Sequence, residues 1–298
     1  MKMSPALLRW RSLAFHARHH VGVVLAAAVA ATVLIGALTV GDSVRETLKR
    51  RALDRIGKAE FILDGGDRFF VARPGGPAGV GLTNTLATFA LRLPGVVSRQ
   101  DGSARANHVH IHGVPGNFWS LVPDTRSLPS WNDDSVALNT SLAHHLSVRV
   151  GDELVVRIHK PSALSQDAVI TPRDGASVAL RVRVGHILTA AEWGNFSTTA
   201  GSSPPFNLFL PHGVLAKAAG LGQRANLALL SASPLTTDPQ TLSARVSAGF
   251  SLADAELEVR PISTPASTAT SPPAQVELVS RRIFLDPVVS DALSQLNS

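Results

Sequence analysis

Residues 21–40, VGVVLAAAVAATVLIGALTV, carry no charged side chain, and this run restricts the chain more than any other feature of its 298 residues. At a rise of about 1.5 Å per residue, a helix of that length measures about 30 Å, the hydrocarbon thickness of a bilayer. Ten of the positions are Val, Leu or Ile. Each favours insertion by about 0.3–0.6 kcal/mol, and no central charge opposes them. The other positions are Ala, Gly and Thr. Small residues four apart, Ala26 with Ala30 and Thr32 with Gly36, let another helix come close, so the pattern predicts a transmembrane helix packed in a bundle. A plain Ala-rich anchor is the competing reading. A cleaved signal peptide is a third, but its apolar core usually runs about 7–15 residues to a small-x-small site. This run is longer and leads straight into GDSVRE.

Both flanks have helical patterning. Within residues 1–20, Trp10, Leu13, Ala14 and Ala17 fall on one face and Arg9, Ser12, His16 and His19 on another, as in an interfacial helix lying in the membrane surface. Within residues 41–60, Val44, Leu48, Ala52 and Ile56 recur every fourth position, with Glu46–Arg50 and Asp54–Lys58 spaced as ion pairs. This predicts an amphipathic stalk helix leaning on protein. At the junction, Gly41 weakens a helix by about 1 kcal/mol relative to Ala, and Ser43-x-x-Glu46 has capping-box spacing. Two outcomes stay open: a kink and restart at Gly41, or one shaft over residues 21–60 of about 60 Å.

The formal charge is +6, and residues 1–60 account for all of it, with ten Lys/Arg against four Asp/Glu; residues 61–298 hold 18 of each sign. An excess confined to the membrane-proximal end faces lipid head groups and argues against a nucleic-acid partner. Aromatic residues are scarce and Tyr is absent, so no base-stacking platform is expected; absent Cys excludes disulfides and thiolate chemistry. Four Lys/Arg precede the apolar run and six follow within twenty residues, a count that opposes the positive-inside rule. Arg18, with His19 and His20, stands closer to the run than Arg45 does, and the count and the proximity point opposite ways.

From Phe61 onward short strands and helices mix without regular βαβ spacing, which predicts an α+β domain over residues 61–262. FILDG, RFFVA, VVSRQ and RANHVHIHGV are predicted strands, TNTLATFALRL a helix capped by Thr83 or Asn84, and GNFWSLVP a short helical turn. SVALN leads through Asn139 as a cap into a helix ending at Leu146, then a Gly-Asp turn and a strand from Glu153 to Ile158. SVALRVRVGHIL, PFNLFLP, NLALLSA and AELEVRPI are further strands, with HGVLAKAAGL and DPQTLSARVSAGF as helices between them. Residues 263–275, STPASTATSPPAQ, are a predicted flexible linker, and 276–298 begin another structured segment.

VGDSVRETLKRRALDRIG, ARANHVHIHGVPGNFWSL, SVALNTSLAHHLSVRVGDELVVRIHKPSALSQDA and ILTAAEWGNFSTTAGSSPPFNLFLP together resemble MacB/FtsX-type ABC transporter permeases. The resemblance covers most of the chain and rests on packing and turn patterns. It implies a first transmembrane helix with a cytoplasmic N-terminus in the cell (inner) membrane, followed by a MacB-like periplasmic core. It also implies a separate ABC ATPase subunit on the cytoplasmic side. Family members carry further spans, and no second apolar run of that length occurs here. The expectation is therefore the N-terminal portion of a longer permease, or a reduced relative that takes its other spans from a second permease subunit. A single-span extracytoplasmic binding or adaptor protein is the alternative.

The candidate chemistry is thin. HVHIH places His108, His110 and His112 on one face of a strand, a geometry able to present imidazoles to zinc or copper. The competing reading is a solvent-facing edge alternating with buried Val109 and Ile111, and no Cys or acid lies nearby. GDS at 41–43 has the letters of a hydrolase nucleophile block, but it abuts the apolar run and no His follows His212. GGPAGVG has no Lys, and no G-x-x-x-x-G-K-[ST] occurs, so ATP hydrolysis is expected on a partner and no cofactor is expected here. Trp119, Trp131 and Trp193, with Phe118 and Phe196, line either an apolar groove or a core.

Overall fold

Two helices lead the chain: α1 (Pro5–Phe15) and, after a turn at His16, α2 (Ala17–Ile56). They are followed by strands β1 (Phe61–Asp64), β2 (Phe70–Val71), β3 (Leu86–Arg99) and β4 (Arg105–Val114), then a 3-10 turn at Gly116–Leu121 and β5 (Ser135–Asn139). Next come α3 (Thr140–Leu146), β6 (Glu153–His159), β7 (Ser177–Leu188), β8 (Asn207–Pro211) and α4 (His212–Ala219). The last elements are β9 (Arg224–Ala225), β10 (Leu227–Ser231), α5 (Pro239–Gly249), β11 (Leu257–Pro261) and β12 (Val276–Ser280). The computed structural model describes residues 5–73, 86–122, 134–161, 177–201, 203–231, 238–261 and 276–280. Trp131, the GGPAGVG loop, the 263–275 linker and residues 281–298 lie outside them. Two units divide the chain: Met1–Leu53 with Ala200–Ser202, and Asp54–Thr199 with Ser203–Ser298.

The second unit is a mixed α+β domain built around β3. Along one side β3 pairs with β4; along the other its first residues pair with β10 and its last, Gly95–Arg99, with β6. The order β3-β4-β8-β5-β7-β6 therefore closes through β3–β6 into a ring, with β10 and then β1 extending beside the first half of β3. The β4–β8 and β5–β7 pairs are parallel and the others antiparallel. Period-two patterning builds the core: Leu154, Val156 and Ile158 of β6 are buried between half-buried or exposed neighbours, and Val182 and Val184 of β7 repeat this. They pack with Leu91, Leu93 and Ile111, while Leu142 and Leu146 of α3 and Leu215 of α4 join the same core. Gly95 permits the crossing of β3, because a Cβ there would sit 2.6 Å from the Arg157 carbonyl oxygen.

The segment predicted as a helix from Thr83 is strand β3 wherever it is described. Its apolar residues satisfy a helical period, but Thr88 and Phe89 favour an extended backbone, and Pro94 cannot sit in a helix interior. Pro94 and Gly95 instead join this segment to VVSRQ in one strand. Other boundaries fall where local chemistry sets them. The Asn139 side chain accepts from the Leu142 N–H at 3.1 Å to start α3, and Asp238 does the same for Thr241 at α5.

Candidate functional site

Among the described residues the feature that most needs explaining is α2. It runs through Gly41 as one helix of 40 residues, about 60 Å long. The Ser43–Glu46 spacing is therefore not a cap: Ser43 lies mid-helix, and its carbonyl accepts from the Thr47 hydroxyl at 2.8 Å. The hydrolase reading of GDS gains no support there, since Ser43 lies exposed in the middle of a continuous helix. Every residue from Leu8 to Arg51 is exposed within the chain. Val33 and Leu38, for example, are 66% and 67% exposed. The span's two hydroxyls are satisfied internally, Thr32 donating to the Ala28 carbonyl at 2.8 Å and Thr39 to that of Ile35 at 2.9 Å. They add little cost to placing the helix in hydrocarbon. At about 100° per residue, Ala26 and Ala30 share one side and Thr32 and Gly36 lie on a different one. A Cβ added to Gly22, Gly36 or Gly41 would meet nothing within 4 Å. Farther along, Val44 and Leu48 are 54% and 40% exposed, while Ala52 and Ile56 are half-buried.

The end of α2 is held in a built seat. Arg55 is buried and its Nη2 donates to the Ser203 carbonyl at 3.0 Å. Gly57 then stops the helix with φ +58, a conformation that suits glycine. A Cβ on Gly57 would lie 2.7 Å from the Leu121 carbonyl oxygen and 3.1 Å from the Trp193 ring. The Lys58 N–H donates to that Leu121 carbonyl at 2.9 Å, and the Glu60 N–H donates to the Leu230 carbonyl at 2.9 Å, directly before β1 pairs with β10. One side chain and two backbone groups thus fix the chain within six residues.

The seat rests on aromatic packing. Phe118 and Trp193 lie 4.8 Å apart between ring centroids, Trp193 and Phe196 4.9 Å, and Trp119 and Phe209 5.5 Å. All five are buried, so the described members of the aromatic set form a core cluster and not a groove. Trp193 takes the left-handed conformation, φ +67, which is uncommon outside glycine. The surrounding turn holds it there: the Glu192 carboxylate accepts from the Thr189 N–H and hydroxyl at 2.8 and 2.9 Å. Partial burial works to raise the Glu192 pKa, but the Thr189 hydrogen bonds and His186 outweigh it and hold it below the usual carboxylate range. Asn207 ties the turn to β8, its Nδ2 donating to the carbonyls of Gly194 at 2.9 Å and Phe196 at 2.8 Å.

Of the three histidines, His110 and His112 lie side by side with ring centroids 6.1 Å apart, and His108 differs from both in backbone and exposure. His108 has φ +55 at the irregularity opposite Gly95–Val97 and is exposed, His110 is half-buried, and His112 is 1% exposed. The solvent-facing edge reading fails for His112, because β4 is paired on both sides and its ring stacks on Phe209 at 5.0 Å. Its Nε2 lies 3.3 Å from Asn207 Oδ1, and burial, with the neighbouring His110 and Arg92, lowers its pKa to about 3. Among the described residues no group of three His, Cys, Asp or Glu is placed to hold a metal.

Gly57 carried a legible signal, a glycine directly after a basic last turn. The burial of Arg55 and the tie made by Asn207 carried none, since both depend on partners far along the chain. No family model and no curated protein matches the chain. Among solved structures it is similar to the periplasmic region of MacB from Actinobacillus actinomycetemcomitans, at 9% identity over 62% of this chain and 83% of that one, with a TM-score of 0.36. It is also similar to the extracellular domain of the noncanonic ABC-type transporter YknZ from Gram-positive bacteria, at 11% identity over 62% and 88%, with a TM-score of 0.35.

Proposed function

We propose that the chain is the N-terminal portion of a permease component of an ABC-type transporter, of the lipoprotein-release or efflux kind. On this reading α2 crosses the inner membrane among companion helices, supplied by further spans or a second permease subunit. It carries movement driven by a separate ATPase subunit into an extracytoplasmic α+β domain. One observation supports the reading most: α2 is unbroken from the apolar run to a last turn that is pinned to the domain. A tether needs only length, and a flexible linker after the span would serve it. An unbroken helix has every interior backbone hydrogen bond in place, so displacement at one end reaches the other. The sequence resemblance to MacB/FtsX-type permeases points the same way. The role is mechanical, and no residue of this chain is assigned to bond-making chemistry.

Replacing Ala26, Ala30, Thr32 and Gly36 together by Leu keeps the span apolar but closes its small-residue sides. The permease reading expects loss of co-purification with companion spans and ATPase, and loss of transport. Full assembly and transport in that variant would discard it in favour of a single-span binding or adaptor protein.

A further inference from the structure

The segment before the span is charged in a way the rest of the chain does not balance. Lys2, Arg9, Arg11 and Arg18 precede the apolar run, and no acidic residue occurs before Asp42. The other flank differs: residues 41–60 hold six Lys/Arg but also four Asp/Glu. The cations of α1 thus have no acidic residue of their own segment to face. Its large apolar side chains are equally uncovered, with Trp10 74% and Phe15 85% exposed and Leu8 and Leu13 half so.

Position supplies the second observation. The break between α1 and α2 is a single turn at His16, whose N–H bonds the Ser12 carbonyl at 3.1 Å, while the His20 N–H bonds the His16 carbonyl at 3.1 Å. The apolar run begins at Val21, about 8 Å along the helix from that turn. The end of α1 at the turn therefore lies near head-group depth whenever α2 spans a bilayer.

We infer that α1 docks on anionic phospholipid head groups, with its Arg9 and Arg11, and Arg18 at the start of α2, facing lipid phosphate and Trp10 and Leu13 entering the interface, and that lipid charge decides whether it docks. The inference rests on α2 crossing a membrane. Each cation near an anionic leaflet raises occupancy about fivefold, so three contribute on the order of 100-fold. The apolar face adds to this but is short, with one Trp and one Leu flanked by alanines.

The test uses the full chain, which has no native Cys, carrying Ala14→Cys labelled with a fluorophore. It is reconstituted in vesicles of phosphatidylcholine alone, or of phosphatidylcholine with phosphatidylglycerol. Brominated lipid should quench the label in the anionic vesicles. Acrylamide from water should quench it in neutral vesicles, and in anionic ones once Arg9→Gln, Arg11→Gln and Arg18→Gln are combined. Equal bromolipid quenching in both vesicle types would overturn the inference, because the apolar face alone would then hold the helix. So would acrylamide access in both, or protection from both quenchers, which means water or protein faces α1. Alkaline carbonate extraction separates the two levels: retention of the triple variant in the vesicle pellet shows that α2 still spans when α1 is released. Extraction of the parent chain would remove the spanning premise and this inference with it.

Discussion

Gly57→Ala is the substitution that most sharply tests the seat of α2. The backbone there has φ +58, which costs a residue with a Cβ about 1–2 kcal/mol. The new methyl would also lie 2.7 Å from the Leu121 carbonyl oxygen, a backbone atom that cannot swing aside. That oxygen is the acceptor for the Lys58 N–H at 2.9 Å, so moving it strains or breaks a hydrogen bond of about 0.5–1.5 kcal/mol net. Together these give about 2–3 kcal/mol, concentrated where the helix enters the domain. Amide hydrogen exchange of the full chain in detergent reads this directly, because opening energies are local. Residues 53–60 and 118–122 should exchange on the order of 30–150 times faster, with β6 and β7 unchanged. Gly57→Asn tolerates the left-handed backbone but keeps the clash, so it should fall between parent and Ala. Unchanged protection at 53–60, or a uniform loss over every strand, would refute the argument.

Other perturbations act on different links. Gly41→Pro removes a hydrogen bond and kinks a helix interior at a cost of about 3 kcal/mol; spin labels on Val33→Cys and Lys49→Cys should be about 24 Å apart and narrowly distributed in the parent, and shorter or broader in the variant. An unchanged distance would contradict the continuous shaft. His112 gives a pH signature: its pKa falls from 6.5 to about 3 on folding, so between those values the unfolded chain binds the extra proton. Stability from this group is complete above the unfolded value and declines by about 1.4 kcal/mol per pH unit as pH falls towards the folded one. His110 and His212, also lowered first by burial, act in the same direction. Denaturant titrations of His112→Gln should show a shallower decline on the acid side, and an identical slope would refute the assignment. Asn207→Ala leaves the Gly194 and Phe196 carbonyls without their donor and should cost about 3 kcal/mol, read as a lower denaturation midpoint.

What the residues disclose in advance follows from how local the cause is. The apolar run, the Asn139 cap and the alternation of β6 and β7 are short-range patterns, and each appears where the spacing puts it. β3 went astray because its apolar residues fit both periods, and the deciding partners, β10 and β6, lie far along the chain. Continuity at Gly41 could not be read either, since the glycine cost and the capping spacing favour a break while the propensity of both flanks favours a single helix. The seat was the least visible part: Arg55 meets Ser203 across 148 residues, a pairing no local pattern announces. His112 shows the same limit, because its burial depends on β8 and Phe209.

The whole account turns on α2 lying across a bilayer, and aqueous labelling of single cysteines in sealed membrane vesicles tests that most directly. Cysteines placed over residues 21–40 should be shielded from a membrane-impermeant maleimide, while those at positions 18 and 45 react from opposite sides, 18 from the cytoplasmic face. Reaction of both from one side, or free reaction along the apolar run, would contradict the account.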